Sequence, residues 1–163
     1  LIAGRILTSL FTLLLVSIIV FAAVEAIPHD AATRLAGRDS TPEQVEVLRW
    51  LSWNDCHWNQ AVGPFYFEHI VKKTFGLGKP DGAALEAKTG ECVKYAKVLN
   101  AHLAGKPYVA CGRLTIADFQ LAGMAHYWRE AEMPFKDFPN IVAWLDRLDA
   151  MPAWADPWPE KAA

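Results

Sequence analysis

Leu114-Thr115-Ile116-Ala117-Asp118-Phe119 decides how this chain is read. Thr115 can accept a hydrogen bond from the Asp118 backbone N–H. The Asp118 carboxylate can reach back to the Thr115 N–H, which completes a capping box. Leu114 and Phe119 stand at the two positions of a hydrophobic staple. Together these residues satisfy orphan donors at a helix start that is about to be buried. Thr115 and Asp118 are therefore read as a structural cap, and a helix is predicted from Ile116 to about Ala131.

Upstream, Gly105-Lys106-Pro107 stops an earlier helix. That helix is predicted to begin at Asp81 and run to about Ala104, with Leu85, Cys92, Val93, Ala96, Leu99 and Leu103 at helical spacing. Gly76-Leu77-Gly78-Lys79-Pro80 reads as the loop before it. Further back, Thr41-Pro42-Glu43-Gln44 is a helix start: Thr41 caps, Pro42 suits the first helical position, and Gln44 closes a box. Gly63-Pro64 predicts a kink in that helix. Downstream, Pro139 opens a helix with Ile141, Val142, Leu145 and Leu148 on one side. The segment from Met151, with Pro152, Pro157 and Pro159, is expected to be short or irregular. No alternation long enough for a sheet and no internal repeat is visible. The fold class is all-α.

The start of the chain differs in kind. Ile6 to Val24 is 19 residues without a charge, flanked by Arg5 and by Glu25 and Asp30. As a helix it would span roughly 28 Å, close to the hydrocarbon thickness of a bilayer. The expectation is a single membrane span through residues 6–24, hence a membrane location. The alternatives are a signal peptide cleaved after Ala26 and a buried core helix. The expected organisation is a hydrophobic segment at 1–30, a linker and helix start at 31–46, and a helical domain at 47–163. Residue 1 is Leu and the first Met is Met124, so a piece of a longer reading frame is expected.

Composition narrows the function classes. Hydrophobic residues make up 53%, charged residues 21%, and the net charge is −2. A disordered chain would be less hydrophobic and more charged. A nucleic-acid binder would need a basic surface, so no nucleic-acid partner is expected. Cys56, Cys92 and Cys111 form neither a disulfide framework nor a CxxC site. His29, His57, His69, His102 and His126 never form HExxH, and no metal site is expected. Neither GxGxxG nor a Walker loop occurs. Lys72-Lys73 reads as a solvated pair.

Residues 47 to about 158 resemble the C-terminal helical domain of glutathione transferases. The resemblance is carried by Ala101-His102-Leu103-Ala104-Gly105-Lys106-Pro107-Tyr108 leading into Leu114-Thr115-Ile116-Ala117-Asp118. Phe138-Pro139-Asn140-Ile141-Val142-Ala143-Trp144-Leu145, Met151-Pro152-Ala153-Trp154, and Leu48-Arg49-Trp50-Leu51 with Ala61-Val62-Gly63-Pro64 add to it. Cys111-Gly112 departs from the family's usual Gly followed by a polar residue. In that family a thioredoxin-like half binds glutathione and supplies the catalytic Tyr, Ser or Cys. The helical half supplies much of the electrophile pocket and part of the dimer contact. Residues 1 to about 49 resemble instead the start of a peptide-type ABC transporter permease, with His29 where that family has Gly. The two resemblances meet near Leu48–Trp50, as a natural fusion or as an artefact of sequence assembly.

The resemblance implies a glutathione transferase-like protein that provides the electrophile pocket and a dimer contact. No thioredoxin-like unit is legible before residue 47, so the chain alone is expected not to conjugate glutathione. No catalytic residue and no cofactor is assigned, and glutathione enters as co-substrate only through a thioredoxin-like half. The candidate substrate contacts are Trp53, Asn54, His57 and Tyr127, with packing as the competing role for the aromatics. On an α-helix Trp50, Trp53, Asn54 and His57 share a face. Expected partners are apolar small molecules, a second copy of the chain or a thioredoxin-like domain, and the membrane through residues 6–24. The alternatives are a non-catalytic, membrane-anchored helical interaction module, a fragment or fusion of an ABC transporter permease, and a cytoplasmic helical domain.

Overall fold

The computed structural model describes residues 2–25 and 40–155 of the 163-residue chain. The linker at 31–39, the cleavage point after Ala26, Ile27-Pro28-His29-Asp30 and the tail beyond Ala155 lie outside the described residues. Every described element is helical, so the all-α expectation holds. The chain divides into two units, Leu1–Ser40 and Thr41–Ala163.

The first unit contains α1, Ile2–Glu25. Its described side chains are Arg5 and Ser9–Ala22, and its large apolar ones are exposed. Ser9 and Thr12 turn their hydroxyls back to the carbonyls of Arg5 and Ser9 at 2.9 Å each. Among the described residues no helix is long and apolar enough to cross a membrane. The expected span through residues 6–24, and the membrane location built on it, are therefore not supported.

The second unit opens with a long helical run from Pro42 to Phe75: α2 (Pro42–Trp53), a π-helical turn (Asn54–Trp58), α3 (Asn59–Tyr66), a second π-helical turn (Phe67–Val71) and α4 (Lys72–Phe75). The capping box at its start forms as the sequence implies. The Thr41 N–H donates to Gln44 Oε1 at 2.9 Å, and the Gln44 N–H donates to Thr41 Oγ1 at 3.2 Å. Pro64 sits inside α3 rather than ending it. Proline has no N–H to give to the preceding turn. The ladder is re-registered in the two flanking π turns, where the Asn59 N–H reaches the Asn54 carbonyl and the Lys72 N–H the Phe67 carbonyl. Gly76, at φ 65, ends the run in the left-handed region.

Helix α5 spans Gly82–His102, capped by Asp81, whose Oδ1 accepts from the Ala83 and Ala84 N–H groups. Helix α6, Ile116–Ala125, is about six residues shorter than the sequence implies. Beyond it Tyr127 N–H bonds the Met124 carbonyl and Trp128 N–H the Ala125 carbonyl, three residues back. The coil tightens and unwinds there. Glu132, at φ 53, then takes the left-handed position usually given to glycine. Helices α7 (Pro139–Asp149) and α8 (Pro152–Ala155) complete the body.

One core joins these helices. Trp58, Val62 and Phe65 from the long run meet Leu99 of α5, Leu121 of α6, Phe135, and Ile141, Trp144 and Leu145 of α7. Asp118 is its polar centre and is fully buried. The capping box with Thr115 forms, and the carboxylate does more than cap. It accepts from Thr115 N at 2.9 Å, Thr115 Oγ1 at 3.1 Å, Val109 N at 2.8 Å and Trp144 Nε1 at 3.0 Å. One side chain thus fixes the α6 start, the preceding loop and α7. Phe119, the downstream staple residue, is half-buried with its ring against Trp154 at 5.4 Å.

Candidate functional site

The long helical run and α5 together expose an aromatic ledge. Trp53 closes α2, His57 lies in the first π turn, and Tyr95 comes from α5. All three are half-buried. The His57 and Tyr95 rings stack with centroids 5.0 Å apart and 16° between planes, and Tyr95 Oη lies 3.2 Å from His57 Nδ1. Trp53 presents edge contacts to His57 at 6.4 Å and to Tyr95 at 6.0 Å. Beneath, Trp53 stacks on buried Trp58, which stacks on Phe135; Trp58 Nε1 donates to the Leu121 carbonyl at 2.9 Å. The ledge is therefore held rigidly by the core. The Lys94 ammonium lies 4.9 Å from the Tyr95 ring centroid, a cation–π contact.

Trp50 extends the ledge, edge-on to Trp53 at 5.2 Å and 4.2 Å from the His102 ring. His102 Nε2 lies 2.7 Å from the Val109 carbonyl. Burial pushes the His102 pKa below its ordinary value, against the opposing pull of that carbonyl. A neutral ring with its proton on Nε2 donates to Val109 and leaves Nδ1 to accept from Lys106 Nζ at 3.3 Å. His102 is thereby committed to bracing the loop.

The four candidate contacts do not form one site. Trp53 and His57 come together. Asn54, one residue around the helix from Trp53, turns inward and is fully buried, with Nδ2 donating to Asp55 Oδ1 at 3.2 Å. Tyr127 lies beyond α6, with its ring against Tyr66 at 5.3 Å and His126 at 4.9 Å. It lines a separate hollow of about 710 Å³ with His69 and Ile70. Tyr95 was not singled out from the sequence, although its spacing from Cys92 and Leu99 puts it on the buried stripe of its helix.

Two of the three thiols, Cys92 and Cys111, are held in their protonated form. Cys92 is buried, which pushes its pKa up to about 12. Cys111 is also pushed up, by burial and then by Glu46, whose carboxylate accepts from its N–H at 3.2 Å. The displaced glycine at Cys111-Gly112 has a structural counterpart: both residues are left-handed, at φ 57 and 62. Among the described residues no cluster could hold a metal ion. The ledge offers π faces, a phenol paired with an imidazole, and a nearby ammonium. These groups can bind and orient a flat apolar molecule.

Comparison with known proteins places this architecture. Residues 82–147 match the family model described as glutathione S-transferase, C-terminal domain. In fold the helical body is similar to such a domain. Residues 1–80 match the model for the N-terminal part of binding-protein-dependent transport system membrane components. The two family models abut near Asp81, while the transferase relatives cover 72–77% of the chain, so that likeness reaches well upstream of Asp81. FtsZ-localized protein A of Caulobacter vibrioides is 29% identical over 133 residues, covering 77% of this chain and 57% of that protein. Glutathione S-transferase 3 of Zea mays is 29% identical over 125 residues, covering 72% and 55%. The crystal structure of a possible glutathione S-transferase from Rhodopseudomonas palustris superposes with a TM-score of 0.63 at 29% identity, covering 78% of this chain and 57% of that one. The chain thus spans a little over half the length of these relatives.

Proposed function

We propose that the helical body is the electrophile-side half of a glutathione transferase-type protein, with the Trp53–His57–Tyr95 ledge as the surface that takes an apolar aromatic co-substrate. The observation that carries this reading is the stacked His57–Tyr95 pair, half-exposed and seated on the Trp53–Trp58–Phe135 column. Rigid π faces bind flat apolar molecules at low entropic cost. Glutathione binding and thiol activation fall to a thioredoxin-like half, which joins the body within a longer chain or as a partner. Lowering a thiol pKa needs hydrogen bonds or positive charge aimed at sulfur, and the ledge supplies one paired phenol. A second copy of the chain is a further partner.

The test is a tryptophan-fluorescence titration with 1-chloronaphthalene. Saturable quenching is expected, weakened severalfold by Tyr95→Leu or His57→Ala and unchanged by Lys88→Gln on the far part of α5. Quenching that ignores the ledge variants would overturn the assignment.

A second reading is a non-catalytic interaction module. The similarity to FtsZ-localized protein A, a relative named for where it localises, favours it. Under that reading the ledge variants abolish partner capture and leave small-molecule binding undetectable in every form of the chain.

A further inference from the structure

The hollow beside Tyr127 has a composition of its own. At about 710 Å³ it falls in the size range of small-molecule sites. Tyr127 forms an apolar wall, braced from behind by Tyr66, and half-buried Ile70 and exposed Pro80 continue it. Lys73 and Lys79 line the same space. The adjacent Lys72 is occupied: its ammonium pairs with Glu68 Oε2, which also accepts from the Asp81 N–H at 2.7 Å. Those two donors, Lys72 first, hold the Glu68 carboxyl below its ordinary pKa. Glu68 is thus a neutralised charge, and its bond to Asp81 anchors the loop that carries Lys79. Lys73 and Lys79 have no carboxylate partner among the described residues. Glu130, also on the lining, is likewise unpaired.

We propose that this hollow is a second ligand site, separate from the ledge, that takes a flat aromatic carboxylate carrying one negative charge. The Tyr127 wall covers the ring, Lys73 and Lys79 receive the acid group, and Glu130 disfavours a second one. The anchored loop lowers the ordering cost of the lysine arm. The assignment does not depend on the proposed transferase role.

Isothermal titration of the full chain with 2-naphthoate and with uncharged 2-naphthamide tests it. Naphthoate should bind more tightly than the amide. Replacing both cations, Lys73→Gln with Lys79→Gln, should weaken naphthoate roughly five- to tenfold and leave the amide unchanged, two exposed charge contacts each contributing below about 1 kcal/mol. Tyr127→Leu should weaken both ligands and Lys88→Gln neither, and the preference for the acid over the amide should survive Trp53→Leu and His57→Ala. No binding of naphthoate, equal binding of acid and amide, or an unchanged affinity in the double variant would overturn the proposal. Loss in Trp53→Leu alone would also overturn it and assign the acid to the ledge.

Discussion

Replacing Asp118 with alanine removes one carboxylate and four accepted hydrogen bonds. The cap on α6 accounts for about 1 kcal/mol. The Val109 N–H and Trp144 Nε1 are then left as buried donors without an acceptor, at about 1–3 kcal/mol each. The expected cost is about 3–7 kcal/mol, a large share of the ~5–15 kcal/mol of a typical domain. Asp118→Asn keeps one acceptor oxygen for Val109 and Trp144 but turns an amide toward the Thr115 N–H, so it should cost about 1–2 kcal/mol. Urea denaturation followed by far-ultraviolet circular dichroism measures both. Trp144→Phe provides the cross-check: its cost should shrink in the Asp118→Ala background, because the two groups share one bond. An Asp118→Ala midpoint within 1 kcal/mol of the parent (~, on the scale of a single cap), or full additivity with Trp144→Phe, would refute the reasoning.

Other outcomes follow from the same structure. Glu132→Gly should stabilise the protein by about 0.5–1 kcal/mol, since the left-handed position costs a β-carbon more than glycine's extra entropy; the urea midpoint reads it. Cys92 keeps its proton in the folded state up to about pH 12 while its unfolded counterpart ionises near 9. Stability should therefore fall as pH rises above 9, by at most about 1.4 kcal/mol per unit, and Cys92→Ala should flatten that slope in equilibrium unfolding. Thiol titration of the native protein should modify exposed Cys56 quickly and Cys92 only after denaturation. Glu68, held low by Lys72 and the Asp81 N–H, contributes stability above about its ordinary pKa that is lost as pH falls through its folded value. Glu68→Gln should make the acid limb of the unfolding curve shallower.

What was legible in the sequence was local. The caps at Thr41, Asp81 and Thr115 read correctly because a cap and its partner lie within three residues. The bonds from Asp118 to Val109 and Trp144 span 9 and 26 positions and have no local signature. Tyr95 meets His57 across 38 positions, so the ledge emerges only when α5 lies against the long run. Tyr127 stands with Trp53 and His57 as a candidate apolar wall in the sequence, but its helix ends at Ala125 and it lines another hollow. Hydropathy alone suggested a span at residues 6–24. Gly63-Pro64 suggested a kink, and the ladder adjusts in π turns on either side of it.

We propose that this chain supplies a surface for the electrophile and leaves thiol activation to another half. The direct measurement is glutathione conjugation of an aryl halide by the purified chain, followed by absorbance against the uncatalysed rate. Saturable binding of the aryl halide at the ledge and no conjugation above background are expected. Conjugation by the chain alone, lost on Cys56→Ser or His57→Ala, would contradict it.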